Sequence, residues 1–365
     1  MRNLILEYVW LDGHSPANLR SKKKILSEDD VKENTNLHDY IVSYDRSTLH
    51  LEPSDVPKWG FDGSSTNQAT TENSDCELVP VRLFDTPGSN IVVLCEVYQN
   101  GKPASSNYRH RLVKSAEQNK NEEMWFGIEQ EYLIMDNKSS SHRRPAKWPD
   151  HGFPDPQGRY YCGIGGDVAI HRNISDNHMF ECLHSGVKIG GTNAEVMMSQ
   201  WEYQIGPLDP VEICDQLWFS RFLLERVAEQ NDCSITLEPK PVPGDWNGSG
   251  AHINFSTKTL RDARSELETS NEIERIKLNF LQDTTESFML AYGPDNHLRM
   301  TGQHETSRLN ELTFGENDRS TSIRIPTSKT YLEDRRPAAN MDPYQAVFYL
   351  LETCCSKTLE IIEVI

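Results

Sequence analysis

The segment WFGIEQEYLIM, residues 125–135, has the pattern of a β-strand that carries two glutamates in its middle. Side chains two positions apart on a strand point to the same face of the sheet, so Glu129 and Glu131 share a face. Their neighbours include Phe126 and Ile128, which favours a partly buried strand. Two buried like charges need compensation, so the pair indicates a bound cation, and an ordinary solvent-exposed acidic pair is the alternative.

Two further glutamates are predicted to meet across a hairpin. The segment VKIGGTNAEVMMSQWEYQIGP has the pattern of two strands joined at MMSQ, which brings Glu195 and Glu202 near each other. Either glutamate by itself fits an exposed hairpin residue. Together with the first pair they favour one shared site.

A third strand pattern, AHINFS, places His252, Asn254 and Ser256 on one face. The three glycines of the preceding GDWNGSG suit a backbone that approaches a ligand closely. A single histidine on a strand is more often structural than a ligand. His252 is a candidate metal ligand only because the four glutamates are predicted nearby.

The segment YLEDRRP repeats the spacing of two and puts Glu333 and Arg335 on one face. Five carboxylates and one imidazole suit two oxygen-preferring ions, Mg²⁺ or Mn²⁺, better than a tetrahedral zinc site. Such an acidic site needs cations if it is to bind anionic substrates. The guanidinium group of arginine suits carboxylate and phosphate oxygens. Any single arginine could equally be a surface residue. The candidates lie late in the chain and are Arg299, Arg319, Arg324 and Arg335.

Composition excludes several classes of function. A formal net charge of −18, from 55 acidic and 37 basic residues, argues against a nucleic-acid groove or an anionic membrane as partner. No apolar run approaches the length of a membrane span, and no GxxxxGK[ST] motif indicates a P-loop. The eight cysteines form no CxxC pair, which favours free thiols and a cytoplasmic location.

The length of 365 residues favours two domains, and we predict an α+β fold with a boundary in the turn-rich stretch 99–111. The first domain, 1–105, is expected to be β-rich with strands at 4–12 and 91–98, and 21–34 is expected to be a polar connector. The second domain, 106–365, is expected to hold a largely antiparallel sheet and a long loop ending near 166. Helices are predicted at 109–123, 169–185, 210–230, 271–292 and 343–363.

Taken together, these motifs resemble glutamine synthetases of the eukaryotic type, and the resemblance covers nearly the whole chain. Seven blocks stand in the order of the family, and their joint occurrence is highly specific. They are WGFDGSST (59–66), GIEQEY (127–132), GTNAEV with QWEYQIGP (191–207), PVPGDWNGSGAHINFST (241–257), TGQHETS (301–307), SIRIP (322–326) and YLEDRRP (331–337).

The resemblance implies a set of ligands for each substrate. One metal would be held by Glu131, Glu195 and Glu202, and the other by Glu129, His252 and Glu333. Glutamate would be held by Asn247, Gly248, Arg299, Arg319 and Arg335. ATP, the co-substrate, would be bound by nine residues: Glu129, Glu202, Asn254, Phe255, Ser256, Arg319, Arg324, Tyr331 and Glu333.

The resemblance also implies the reaction. Glutamate would be activated by ATP as a γ-glutamyl phosphate, and ammonia would then displace the phosphate. Asp62 would accept a proton from ammonium across a subunit boundary, Glu305 would close the site, and Arg319 would neutralise the transferred phosphate.

For the fold, the resemblance implies an N-terminal β-grasp domain, a C-terminal catalytic domain with a curved antiparallel sheet and surrounding helices, and a homo-oligomer with active sites between subunits, a decamer of two pentameric rings. Two alternatives stay open: a ligase that joins glutamate to a polyamine or another amine, and an inactive structural paralogue. Intact WGFDGSS and HETS segments favour ammonia, and the six metal-ligand candidates argue against inactivity.

Two stretches depart from the pattern of the family. The sequence GENDR places Glu316 and Asp318 beside Arg319, so we expect weaker binding of nucleotide or glutamate. The connection TSKT between SIRIP and YLEDRRP is short, which affects the expected contact of Tyr331 with the nucleotide.

Overall fold

The computed structural model describes residues 3–43, 49–86, 90–137, 144–282 and 286–355. These residues form two compact units. One comprises the residues up to Arg111 together with Phe180–Val187, and the other comprises Leu112–Met179 and the residues from Lys188 onward. Both units combine sheets with helices, so the predicted α+β class is confirmed.

The first unit is built on a mixed sheet with the strand order β2-β1-β5-β4-β3, and β6 pairs with β5. The central pair, β1 and β5, is parallel, and the other pairs are antiparallel. Leu4, Leu6 and Tyr8 alternate along β1 and point into the core, as period two requires. The elements are β1 (Asn3–Leu11), β2 (Leu19–Ser27), α1 (Thr35–Val42), β3 (Trp59–Asp62), β4 (Asp75–Thr86), β5 (Asn90–Gln99) and β6 (Lys102–Pro103).

Strand β2 corrects one prediction, because part of the expected polar connector 21–34 is a strand. It lies at the edge of the sheet, where lysines discourage pairing with another chain, and this is why its sequence does not look like a strand. The ammonium group of Lys22 lies 3.6 Å from the centre of the Trp59 ring and donates to the carbonyl of Gly60 at 2.5 Å. The lysines of β2 therefore support β3, which ends at Asp62.

The second unit is built on a sheet with the strand order β12-β13-β14-β11-β7-β9-β8, and β10 pairs with β7. All its pairs are antiparallel except β12 with β13. The elements from Tyr108 onward are α2 (Tyr108–Gln118), β7 (Trp125–Asp136), α3 (Arg172–His184), β8 (Ile189–Ala194), β9 (Gln200–Leu208), α4 (Pro210–Gln230), β10 (Cys233–Thr236), β11 (Ala251–Ser256), α5 (Lys258–Asp262), α6 (Glu266–Gln282), α7 (Glu286–Ala291), β12 (Phe314–Glu316), β13 (Ile323–Ile325), β14 (Leu332–Asp334) and α8 (Pro343–Cys355).

The predicted helices are present with shifted ends. Helix α4 matches the prediction because its start is strongly marked: Asp209 accepts hydrogen bonds from the backbone of Val211 and Glu212, and a proline occupies the first turn. The helix predicted at 271–292 begins earlier, at Glu266, and the predicted range covers parts of two described helices, α6 and α7. The last part of the segment predicted at 343–363 lies outside the described residues.

A buried arginine holds the central strand β7 on the face opposite its two glutamates. The guanidinium of Arg221, on α4, donates to the side-chain oxygen of Gln130 at 2.6 and 2.9 Å and to the carbonyls of Ala339 and Met341 at 3.0 Å. Gln130 lies between the two glutamates of β7 and faces away from them. Arg221 therefore joins β7 to the chain that follows β14, so two ligand-bearing strands are held in one arrangement.

The structure bears on disulfides and on membrane-spanning helices. None of the eight cysteines, all of which lie in the described part of the chain, forms a disulfide with another. Among the described residues, every helix is too short or too polar to cross a bilayer.

Candidate active site

Three neighbouring strands bring one predicted metal set together. Glu129 on β7 lies opposite His252 on β11, and Asn254 on β11 lies opposite Glu333 on β14. One ligand atom from each of Glu129, His252 and Glu333 lies within 4.8 Å of the other two. The imidazole Nδ1 is 3.6 Å from the carboxylate of Glu129 and 3.5 Å from that of Glu333. These three residues can hold a metal ion.

The other predicted set lies on the next strand pair and is more widely spaced, since among the described residues only Glu129, His252 and Glu333 have three ligand atoms within 4.8 Å of one another. Glu131 lies opposite Glu202 in the ladder of β7 with β9, and Glu195 begins the turn that joins β8 to β9. The backbone N–H of Glu195 donates to the carbonyl of Gln200 at 2.9 Å, which closes the predicted hairpin. All three carboxylates line one cavity of about 380 Å³, together with the first set.

Desolvation dominates the electrostatics of this cavity. It raises the pKa of Glu202 to about 9, with repulsion from Glu129 as the next cause, and it raises the pKa of Glu195 to about 8, with repulsion from Glu131 next. Desolvation also raises the pKa of Glu131, although the guanidinium of Arg299 opposes the shift. The carboxylates are short of positive charge, which is the condition that a bound cation relieves.

The donor set fits divalent, oxygen-preferring ions. Beside each carboxylate set lies an amide oxygen that is buried and has no hydrogen-bond partner among the described residues: Oδ1 of Asn254 and Oε1 of Gln200. The amide nitrogens of the same side chains donate to Glu129 at 2.7 Å and to Glu131 at 3.3 Å. Carboxylate and amide oxygens around one imidazole are the ligands that Mg²⁺ or Mn²⁺ accepts.

Arginines border the acidic cluster, as predicted. Arg324 and Arg335 each place a guanidinium nitrogen 2.6 Å from a different oxygen of Glu333. Arg299 lies 3.0 Å from Nε2 of His252, which leaves Nδ1 facing the two carboxylates. Burial and the charge of Arg335 hold the pKa of His252 well below its usual value, so the ring is neutral and able to act as a ligand.

The predicted glutamate-binding residues line the same cavity: Asn247, Gly248, Arg299, Arg319 and Arg335. The glycines before β11 serve a purpose that the sequence did not reveal. A Cβ on Gly248 would lie 2.8 Å from Cγ of Arg299 and 2.4 Å from the carbonyl oxygen of Pro239, and a Cβ on Gly250 would lie 2.5 Å from the Arg299 guanidinium. The missing side chains make room for an arginine as well as for a ligand.

This crowding gives a prediction for Gly248. We expect Gly248→Ala to raise the KM for glutamate about 10- to 100-fold, or about 1.4–2.7 kcal/mol, because Arg299 must move. The KM for ATP should change much less. Steady-state kinetics with each substrate varied would measure both values. Gly166→Ala is the matched control, since a Cβ there meets no atom within 4 Å. Equal KM values for glutamate in Gly248→Ala and the control would contradict the prediction.

The predicted nucleotide contacts divide between two cavities. Arg324 lines the acidic cavity, whereas Asn254, Phe255, Ser256 and Tyr331 line a second cavity of about 380 Å³. Glu129 and Gln204 line both, so the two cavities adjoin at the metal-ligand candidates. The lining of the second cavity is mostly apolar, which suits a nucleobase and sugar, while the first suits charged groups.

The two stretches that depart from the family contact each other. The carboxylate of Glu316 lies 2.9 Å from the ammonium of Lys329 in TSKT, and Asn317 accepts a hydrogen bond from the hydroxyl of Thr327 at 2.8 Å. Asp318 accepts hydrogen bonds from the backbone and hydroxyl of Ser320. Both extra carboxylates have local partners outside the cavity lining. Weaker substrate binding stays a prediction.

The predicted closing residue, Glu305, lines the acidic cavity and is exposed. It and His304 both have positive φ, 57° and 54°, a conformation that costs a non-glycine residue free energy. Arg335 donates to the carbonyl of Glu305 at 3.3 Å, and its guanidinium lies 3.7 Å from the Glu305 carboxylate.

Asp62 belongs to the first unit and ends β3. Its carboxylate accepts hydrogen bonds from the hydroxyls of Ser64 and Ser65, both at 2.6 Å, and from the backbone of Ser64 at 3.0 Å. These serines lower the pKa of Asp62, so the exposed group is ionised at neutral pH. A negative group there can attract ammonium.

Sequence reasoning missed several residues that line the cavity or bridge its loops. Tyr161, Asn193, Gln204 and His304 line the acidic cavity. Gln157 donates to Asn247 at 2.8 Å. The period of two along β9 could have identified Gln204, which follows Glu202 on the same face. The others lie in loops, at a strand end or at turns, where periodicity gives no signal.

Comparisons with known proteins identify the family of this chain. A family model described as the catalytic domain of glutamine synthetase matches residues 107–355. A glutamine synthetase from Colletotrichum gloeosporioides is 43% identical over 96% of this chain and 91% of its own length. A cytoplasmic glutamine synthetase 2 from Drosophila melanogaster is 42% identical over 95% and 90%, and a glutamine synthetase from Bos taurus is 42% identical over 95% and 88%.

Proposed function

This chain belongs to the glutamine synthetase family and is a glutamate–ammonia ligase, and we propose that the acidic cavity carries out the reaction in two steps. ATP first phosphorylates the side-chain carboxylate of glutamate, and ammonia then displaces the phosphate. The observation that carries this proposal is the convergence of six ligand candidates and four arginines on one cavity wall. A carboxylate is a poor electrophile, so phosphorylation is what makes its carbon open to attack.

The proposed metal ligands are the two sets of three. Glu131, Glu195 and Glu202 would hold one Mg²⁺ or Mn²⁺ ion, and Glu129, His252 and Glu333 would hold another. Bound there, such ions supply positive charge to the phosphate oxygens. The carboxylates of the chain hold and orient this charge and are not themselves acid–base catalysts.

We assign substrate binding to the other residues of the two cavities. Glutamate would be held by Asn247, Gly248, Arg299, Arg319 and Arg335. The second cavity would hold the adenosine of ATP through Asn254, Phe255, Ser256 and Tyr331. The side chain of Phe255 is buried, so its backbone would make this contact. Arg319 and Arg324 lie at the cavity wall, where their forks can neutralise the phosphate that moves between the two substrates.

Two carboxylates have proposed roles in deprotonating ammonium and in excluding water. Ammonium has no lone pair, so a base must remove a proton before nitrogen attacks, and we propose Asp62. The acyl phosphate is prone to hydrolysis, and we propose that Glu305 closes the site against water. The ionised state of Asp62 and the position of Glu305 at the cavity support these roles.

We further propose that the chain forms a homo-oligomer, a decamer of two pentameric rings, in which Asp62 serves the active site of a neighbouring subunit. The assignment of Asp62 and the cavity to different compact units is compatible with this arrangement. A cytoplasmic location is proposed from the free thiols and from the printed name of the fly relative.

A coupled assay tests the proposed function against its alternatives. We expect phosphate release from ATP and glutamate to depend on ammonium and on Mg²⁺ or Mn²⁺. Treatment with EDTA should remove at least about 99% of the activity, and added Mg²⁺ should restore it. Faster release with a polyamine than with ammonium would favour the amine ligase, and no release with any amine would favour an inactive paralogue.

A further inference from the structure

Three loops of the second unit meet through a chain of four side chains, of which only Asn247 has a role in the proposed reaction. We call Asp245, His304, Gln157 and Asn247 the His304 bridge. Nε2 of His304 lies 3.0 Å from the carboxylate of Asp245, and Nδ1 lies 3.3 Å from the amide nitrogen of Gln157. The same amide nitrogen donates to Oδ1 of Asn247 at 2.8 Å. The bridge therefore joins the loop of Glu305 to the loop of Asn247.

One assignment of hydrogens satisfies the whole bridge. Gln157 donates one N–H to Asn247 and the other to Nδ1 of His304, so the neutral ring carries its proton on Nε2 and donates it to Asp245. The side-chain oxygen of Gln157 accepts the backbone N–H of Asn247 at 2.9 Å. Every donor and acceptor of the Gln157 amide is thus engaged, which is a specific arrangement and not a loose surface contact.

The backbone explains why such an anchor is needed. Two successive non-glycine residues at positive φ persist only where surrounding contacts hold them. Glu305 is held on one side by Arg335, which also contacts Glu333, a proposed metal ligand. His304 supplies the anchor on the other side. The position of Glu305 thus depends on one contact toward the metal ligands and one toward the glutamate-binding loop.

We propose that His304 is a positioning residue that couples glutamate at Asn247 to closure of Glu305 over the acyl phosphate. Glutamate bound at Asn247 fixes the amide of that residue, Gln157 passes the constraint to His304, and His304 holds Glu305 in its strained conformation. The inference rests on the proposed function, since it assumes the acyl phosphate and the closing role of Glu305.

The proposal predicts a specific side reaction when the bridge is broken. With Glu305 displaced, a water oxygen attacks the γ-carbonyl carbon of γ-glutamyl phosphate, and the bond from that carbon to the phosphate oxygen breaks. Glutamate and inorganic phosphate leave, and the water proton passes to solvent. ADP has already formed, so the variant consumes ATP without making glutamine.

The test is the ratio of ADP to glutamine in reactions with ATP, glutamate, ammonium and Mg²⁺. The wild-type ratio should be about 1, and His304→Asn should raise it at least about twofold, because water then competes with ammonia. Asparagine tolerates positive φ better than most residues, so backbone strain does not account for the effect. His304→Gln, which keeps a donor toward Asp245, should restore part of the coupling.

Two further variants make the outcome decisive. Asp245→Ala should also raise the ratio, and its side chain is 94% exposed, so the variant should fold even where His304→Asn does not. The matched control is Asp262→Ala, which removes a 65% exposed carboxylate from an ion pair with Lys258. Wild-type ratios in both bridge variants, or an equal rise in the control, would overturn the proposal. A wild-type protein that makes no glutamine would instead overturn the proposed function.

Discussion

Replacing Glu131 by glutamine is expected to lower Mg²⁺-dependent ADP formation at least about 10³-fold, equivalent to about 4 kcal/mol of transition-state stabilisation. Glutamine keeps the size of the side chain and still accepts the hydrogen bond that the backbone N–H of Gly250 donates at 2.8 Å. It removes one of the three negative charges of the set formed by Glu131, Glu195 and Glu202. Initial rates of ADP formation over a range of Mg²⁺ concentrations measure the effect.

The structure also predicts that Glu131→Gln does not lower the thermal stability of the metal-free protein. Desolvation already raises the pKa of Glu131, so a neutral side chain relieves a cost and the metal-free protein should melt at the same or a higher temperature. Titration with Mn²⁺ should show weaker binding. Glu272→Gln is the control, since Glu272 is buried but contacts Thr257 and Arg275 outside the cavity lining. Wild-type turnover with full Mn²⁺ binding would contradict the assignment.

Removing the charge of Asp62 is expected to give the second large effect. Asp62→Asn should lower ammonium-dependent glutamine formation about 10²- to 10⁴-fold, the range of a lost general base. Hydroxylamine is already neutral at pH 7 and needs no base, so the variant should retain much of its turnover with that nucleophile. Product formation with each nucleophile, measured on one preparation, separates a proton-acceptor role from a general loss of activity.

The control for Asp62 has the same local chemistry. Asp30 is an exposed carboxylate of the same unit that accepts hydrogen bonds from the backbone and hydroxyl of Ser27, at 2.8 and 2.5 Å. Its pKa is likewise lowered by these bonds. Asp30→Asn should behave as the wild type. An equal loss with ammonium and hydroxylamine in Asp62→Asn would exclude the base role.

Mixed oligomers can test whether Asp62 acts across a subunit boundary. Chains with Asp62→Asn and chains with Glu131→Gln are each expected to be inactive. Co-assembled at random, they should recover up to about a quarter of wild-type activity, because one neighbouring pair in four combines an intact cavity with an intact Asp62. Recovery would not occur if both residues served the same subunit.

Much of the site could be predicted because its residues lie on strands. The period of two identified Glu129 and Glu131, and the hairpin pattern identified Glu195 with Glu202. The ladders of the second sheet then placed these residues on one face. Strand periodicity is a local property of the backbone, so a sequence alone can reveal it.

Other features depended on contacts between distant segments. Strand β2 was missed because it is an edge strand rich in lysine, and the contact of Lys22 with Trp59 joins positions more than thirty residues apart. The role of Gly248 as space for Arg299 could not be inferred without the fold, and neither could the hydrogen bonds of Gln157. Loops carry no period, so their side chains become interpretable only once their neighbours are known.

The contact between GENDR and TSKT bears on how this chain can be recombined with its relatives. Glu316 and Asn317 contribute one side, and Lys329 and Thr327 contribute the other. The two stretches, which are fewer than ten residues apart in sequence, thus contact each other through these two pairs of side chains. A chimaera that takes only one stretch would leave the carboxylate of Glu316 or the ammonium group of Lys329 without its partner. Transferring both stretches together keeps the ion pair and the hydrogen bond between Thr327 and Asn317.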